Sequence, residues 1–94
     1  MTLAERQRVA STKLNYPPGT RLELIEMGDD PRPVASGTRG TVKVVDDMGS
    51  IHMQWDNGRT LAIVPSEDDF RKLTEEELAE ESSEEESMTF EQSM

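Results

Sequence analysis

The stretch GTRGTVKVVDDMGSIHMQWDNGRTLAIVP, residues 37–65, decides the fold. It divides into three short runs of β-branched, aliphatic and aromatic residues, separated by two clusters of turn formers. The first run, Gly40 to Val45, sets Val42 and Val44 on one face and Thr41 and Lys43 on the other. The second, Ser50 to Trp55, alternates Ile51, Met53 and Trp55 with His52 and Gln54. The third, Arg59 to Val64, offers Leu61 and Ile63 to the same side. Residues directly opposite in an antiparallel pair share a face, so register can be tested against these patterns. A two-residue Asn57-Gly58 turn would set Gln54 against Leu61 and mix the faces. A three-residue Asp56-Asn57-Gly58 loop sets Ile51 opposite Ile63 and Met53 opposite Leu61, with Gly58 in the left-handed position. The same test predicts a four-residue loop at Asp46–Gly49, with Val44 opposite Ile51 and Val42 opposite Met53.

Outward from this stretch the signals weaken but stay readable. Arg21 to Met27 alternates as a further strand with Leu22 and Leu24 inward. Gly28 to Ser36 is too rich in Gly, Pro and Asp to be anything but a loop. Tyr16-Pro17-Pro18-Gly19 stops a helix predicted over 2–13, with Thr2 as its N-cap and Leu3, Arg6, Val9, Ala10 and Lys13 on one face. After Pro65, Ser66 caps a short turn and Phe70 to Leu73 forms an edge strand that plugs the core with Phe70. The pattern predicts a small SH3-like five-stranded barrel over 16–73, with an N-terminal helical segment over 1–15.

The charge is uneven. The chain of 94 residues carries a net −10, and its last 21 residues hold nine glutamates and no base. The apolar fraction of 33% therefore reflects a compact core with a polar tail. Residues 74–94 read as an acidic low-complexity tail, disordered because like charges at i,i+4 repel and little apolar surface is offered. Cysteine is absent, which excludes disulfides and thiolate metal sites. No stretch is apolar for long enough to span a membrane. The expected location is cytoplasmic.

The run YPPGTRLELIEMGDDPRP, followed in order by GTRGTV, VDDMGSI, WDNGRTL and EDDFRKL, resembles the family called domain of unknown function 4314, over roughly residues 5 to 73. The central portion alone also looks like other SH3-like barrels, including the one found beside ubiquitin-ligase domains. The resemblance implies the barrel and a setting in Firmicutes, their phages and conjugative elements. It implies no catalytic residues. The acidic tail departs from the family pattern.

His52 is the only histidine, and no phosphate loop or metal-ligand spacing is present. The paired acids Asp29-Asp30, Asp46-Asp47 and Asp68-Asp69 sit in turns, where carboxylates serve backbone amides. Neither catalysis nor a cofactor is expected. Direct nucleic-acid binding needs a basic face with aromatics. Arg21, Arg32, Arg39, Lys43 and Arg59 are the available cations, with tail glutamates tethered to compete for them. The leading expectation is a protein-interaction module of a phage or mobile element. Its surface would comprise Asp29, Asp30, Arg32, Asp46, Asp47, Trp55, Asp56 and Arg59, with Trp55 as the floor of a shallow groove. The alternative is an acidic inhibitor, of anti-CRISPR or anti-restriction type, filling the basic channel of a host nucleic-acid enzyme. It would use Glu75, Glu76, Glu77, Glu80, Glu81, Glu84, Glu85 and Glu86.

Overall fold

The hairpin at the centre of the sequence forms, with one register correction that shapes the whole sheet. A computed structural model describes residues 1–83 and contains helix α1 (Leu3–Asn15), strands β1 (Arg21–Glu26), β2 (Arg39–Val45), β3 (Ile51–Trp55) and β4 (Asp69–Lys72), and a second helix, α2, over 75–83. The strands form one antiparallel sheet in the order β3-β2-β1-β4. Val42 pairs with Met53 as expected, but an irregularity between Val42 and Val44 shifts the rest. Val45, not Val44, then pairs with Ile51; Val45 is buried while Val44 is 50% exposed. One extra residue in a strand reverses the faces beyond it. The turn is consequently shorter than expected, three residues over 47–49 in place of four, closing with the Asp46 N–H donating to the Ser50 carbonyl at 3.0 Å.

The five-stranded barrel is not formed; the sheet is open and has four strands. The segment 59–64 meets β3 through a single bridge, Ile51 to Ile63, in the predicted register. Two of its other polar groups are taken by side chains. The Leu61 carbonyl accepts the Trp55 indole N–H at 2.8 Å, and the Val64 N–H donates to Asp68 Oδ2 at 2.8 Å. With the Leu61 carbonyl and the Val64 amide bonded to side chains, this segment makes no continuous ladder. β4 meanwhile pairs with β1 at the far edge, and among the described residues no strand joins the two edges. The three-residue Asp56–Gly58 loop is present: Trp55 N–H donates to the Arg59 carbonyl at 2.9 Å, and Gly58 takes φ 91°.

The inner face of the sheet carries the core: Leu22, Leu24, Val42, Val45, Ile51, Met53 and Trp55, joined by Val34 and Ile63. Trp55 is only 1% exposed, so it is a core residue and not the floor of a groove. Gly40 lies directly against it. A Cβ there would stand 2.8 Å from the indole ring and 3.0 Å from the Gln54 carbonyl, which leaves room only for glycine. Phe70 is half-buried and stacks edge-on with Tyr16, centroids 5.4 Å apart.

Both helices correct or extend the expectation. Thr2 caps α1, its Oγ1 accepting the Glu5 N–H at 3.1 Å. None of α1's residues is buried, yet the helix is not a loose lead-in. Lys13 pairs with Asp47 at 2.7 Å, and Val9 packs beside Gly49. The start of the acidic segment, expected to be disordered, is helical over 75–83. No helix among the described residues is long and apolar enough to cross a membrane.

Candidate functional site

Strand alternation places a second, polar set of residues on the outer face. Glu23 of β1 stands between Arg39 of β2 and Arg71 of β4 in register, forming one row across three strands. Two residues back along β1, Arg21 stands opposite Thr41, which in turn faces Gln54. Three guanidiniums are thus fixed on rigid strands, close to the edge where the chain leaves β4.

The helix that follows β4 lies on this face. Thr74 and Glu77 form a capping box: the Glu77 N–H donates to Thr74 Oγ1 at 3.1 Å and the Thr74 N–H to Glu77 Oε1 at 2.9 Å. Buried Leu73 anchors the connection. The box turns Glu77 inward, where its carboxylate takes both Arg71 nitrogens, at 2.7 and 2.8 Å, and Arg39 Nη2 at 2.9 Å. Glu23 closes the circuit beneath, accepting from Arg39 Nε at 3.1 Å and Arg71 Nη2 at 3.0 Å. The result is a ring of alternating charge, Glu23–Arg39–Glu77–Arg71. One turn further along α2, Glu81 takes Arg21 Nε at 3.1 Å and Nη2 at 2.6 Å. Arg21 is also held from the other side by Asp56, at 2.8 and 2.7 Å.

The electrostatics follow from these contacts. Hydrogen bonding to Arg71, and then to the Thr74 amide, brings the Glu77 carboxyl down from 4.5 to about 2. Arg21 likewise lowers Asp56 and Glu81, and the carboxylates in turn raise all three arginines. A carboxylate held below its ordinary range stabilises the docked state fully only above its unfolded value. The Glu77 contribution is therefore complete above about pH 4.5 and drains away as pH falls toward 2.

The residues singled out from sequence do not converge on one surface. Asp30 Oδ1 accepts the Arg32 N–H at 2.8 Å, while Asp29 is exposed. Arg59 holds the same loop through the Pro33 and Arg32 carbonyls at 2.8 and 2.5 Å. Asp46 organises its turn, accepting from Met48, Ser50 and His52, and Asp47 faces Lys13 of α1. The His52 hydrogen bond, with those two amides, keeps the Asp46 carboxyl below its ordinary range. Of the set, only Asp56 belongs to the arginine face. Among the tail residues, Glu77 and Glu81 point inward, Glu75, Glu76 and Glu80 are exposed, and Glu84, Glu85 and Glu86 lie outside the described residues. Arg71 and the docking of α2 were missed from sequence. The legible signal was Thr74-x-x-Glu77, a capping box directly after a strand.

A second concavity, of about 550 Å³, lies between α1, the 46–50 turn and Val64–Ser66. Met1, Val9, Met48, Val64 and Pro65 supply its apolar lining. Among the described residues no group of three or more metal-ligating side chains gathers.

The family model described as "Domain of unknown function (DUF4314)" matches residues 5–73, which covers most of α1 and all four strands. No curated protein and no solved structure matches the chain.

Proposed function

The chain belongs to the DUF4314 family, and from that premise we propose that it is a non-enzymatic protein-interaction module of a phage or other mobile genetic element, docking its partner on the outer face of the sheet. The observation that carries this reading is the set of three strand-mounted arginines already closed on carboxylates of a following helix. Sites on strands hold geometry better than sites on loops, and planar guanidiniums suit bidentate carboxylate recognition. The mobile-element setting rests on the family resemblance alone.

The test places a photo-crosslinking amino acid at Gln54, on the outer row beside Thr41, in cells that carry the element. The expected result is a crosslinked protein that disappears with R39Q/R71Q while the near-ultraviolet circular dichroism of the buried Trp55 is unchanged. Crosslinking that persists in R39Q/R71Q, or a captured species destroyed by nuclease, overturns the reading.

A second reading, an acidic inhibitor of a host nucleic-acid enzyme, is favoured by one observation. The acidic segment folds over 75–83 and leaves Glu75, Glu76 and Glu80 facing solvent at helical spacing. On that reading, E75Q/E76Q/E80Q loses inhibition of the enzyme, whereas the docking-face reading leaves capture through Gln54 intact.

A further inference from the structure

We infer that the outer face selects two carboxylates one helical turn apart, and that α2 is its built-in competitor, so that the partner is an acidic helical segment of the form Glu-x-x-x-Glu that displaces α2. This rests on the docking-face reading above and names the partner and the regulation of that site.

The arginine rows set the spacing. Glu77 meets the row defined by Glu23, and Glu81 meets Arg21, two residues away on β1. Two residues of strand advance about 6.6 Å. Four residues of helix advance about 6 Å and return to nearly the same face. The pitch of the arginine rows therefore matches an i,i+4 pair. A pair two residues apart would put one carboxylate on the far side of the helix.

Charge favours a helix with discrete acids over a nucleic-acid strand. With α2 lifted, three arginines remain against Glu23 and Asp56, which stay in place between and beside them. A phosphodiester chain, with a charge at roughly every 3.4 Å of strand, would meet those two carboxylates as well as the guanidiniums. Two carboxylates set one turn apart meet only the gaps, which is where Glu77 and Glu81 sit.

Displacement is feasible because α2 contributes little apolar burial. Leu78 is 42% exposed, and the buried anchor, Leu73, precedes the helix. What holds α2 is the capping box and part-buried ion pairs, whose side chains stay 19–37% exposed and so within reach of water and salt. Tethering gives α2 an effective concentration on the order of millimolar, which any partner in trans must overcome.

The experiment measures fluorescence anisotropy of labelled alanine-based helical peptides added to the full chain. One peptide carries glutamates at i and i+4, the other at i and i+2. The variant E77Q/E81Q weakens the competitor, while the side-chain amide it places at position 77 can still complete the capping box. The expected result is that E77Q/E81Q binds the i,i+4 peptide at least about tenfold more tightly than the wild-type chain does. It should bind the i,i+2 peptide no better, and adding R39Q/R71Q should abolish the gain. Equal affinity of wild type and E77Q/E81Q for the i,i+4 peptide overturns the competitor role. Equal binding of both peptides overturns the spacing rule and leaves the docking face standing. An equally charged single-stranded oligonucleotide that binds more tightly than either peptide overturns both the inference and the docking-face reading.

Discussion

Replacing Trp55 by alanine should cost about 4 kcal/mol and leave the chain only marginally folded. Three features set that size. The indole is almost wholly enclosed and sits at the end of β3, where Gly40 on β2 has no side chain because the ring fills the space. Its N–H is bonded to the Leu61 carbonyl at 2.8 Å, which pins the segment leading to Ile63. Truncation would therefore open a cavity and orphan a half-buried carbonyl at the same time. A domain of this size has a total stability on the order of 5 to 10 kcal/mol, so the loss is about half of it or more. Urea unfolding followed by circular dichroism measures the effect. A loss below about 1.5 kcal/mol would mean that the indole does not occupy the centre of the core.

Asp68→Ala should cost about 2 to 4 kcal/mol, for a different reason. Asp68 is the one charged side chain among the described residues that is buried, at 8% exposure. It spans two segments, with Oδ1 accepting the Gly28 N–H at 2.7 Å and Oδ2 the Val64 N–H at 2.8 Å. Both amides are otherwise outside any ladder, and the carboxylate is what ties the end of the first strand to the turn before β4. Gly28 allows that approach: a Cβ there would stand 2.6 Å from the Glu67 carbonyl oxygen. Removing the carboxylate strands two donors, each with its own desolvation cost. Amide exchange is the discriminating readout. Gly28 and Val64 should exchange faster in the variant; unchanged protection at both would show that the carboxylate is not their acceptor.

Asp68 also shows what a turn carboxylate reveals in sequence. The expectation that paired acids in turns serve backbone amides is met at Asp30 and Asp46, because Asx-type hydrogen bonds are local and need little context, and at Asp68, though the Gly28 amide it takes lies on a distant segment that no local rule points to. The Thr2 cap, the Asp56–Gly58 loop and the Ile51–Ile63 pairing were legible on the same ground. Register across the Asp46 turn was not. Val42, Lys43, Val44 and Val45 are compatible with either valine of the last pair facing inward, and only the position of the bulge decides. Closure of a barrel was not legible either, since a carbonyl satisfied by Trp55 and an amide satisfied by Asp68 look like ordinary strand residues in a sequence. The arginine face failed for a third reason. Arg21 and Arg39 were read only as two of the available cations, and Glu77 and Glu81 as mutually repelling charges, because local rules for an isolated helix omit a counter-charged sheet beneath it.

Whether α2 docks at all turns on the contact between Glu77 and the two arginines of its ring. Carbon-detected NMR of the Glu77 side-chain carboxyl, titrated from pH 7 downward at low and at high salt, tests it in the unmodified chain. The docked helix predicts a midpoint near 2, well below the ordinary glutamate value of 4.5, rising as salt screens Arg71 and Arg39. The helical chemical shifts of 75–83 should fade over the same pH interval, since the carboxylate's contribution to docking is lost as it protonates. A midpoint at 4.5 that ignores salt would place Glu77 in free solution and contradict the docked helix, and with it the docking face.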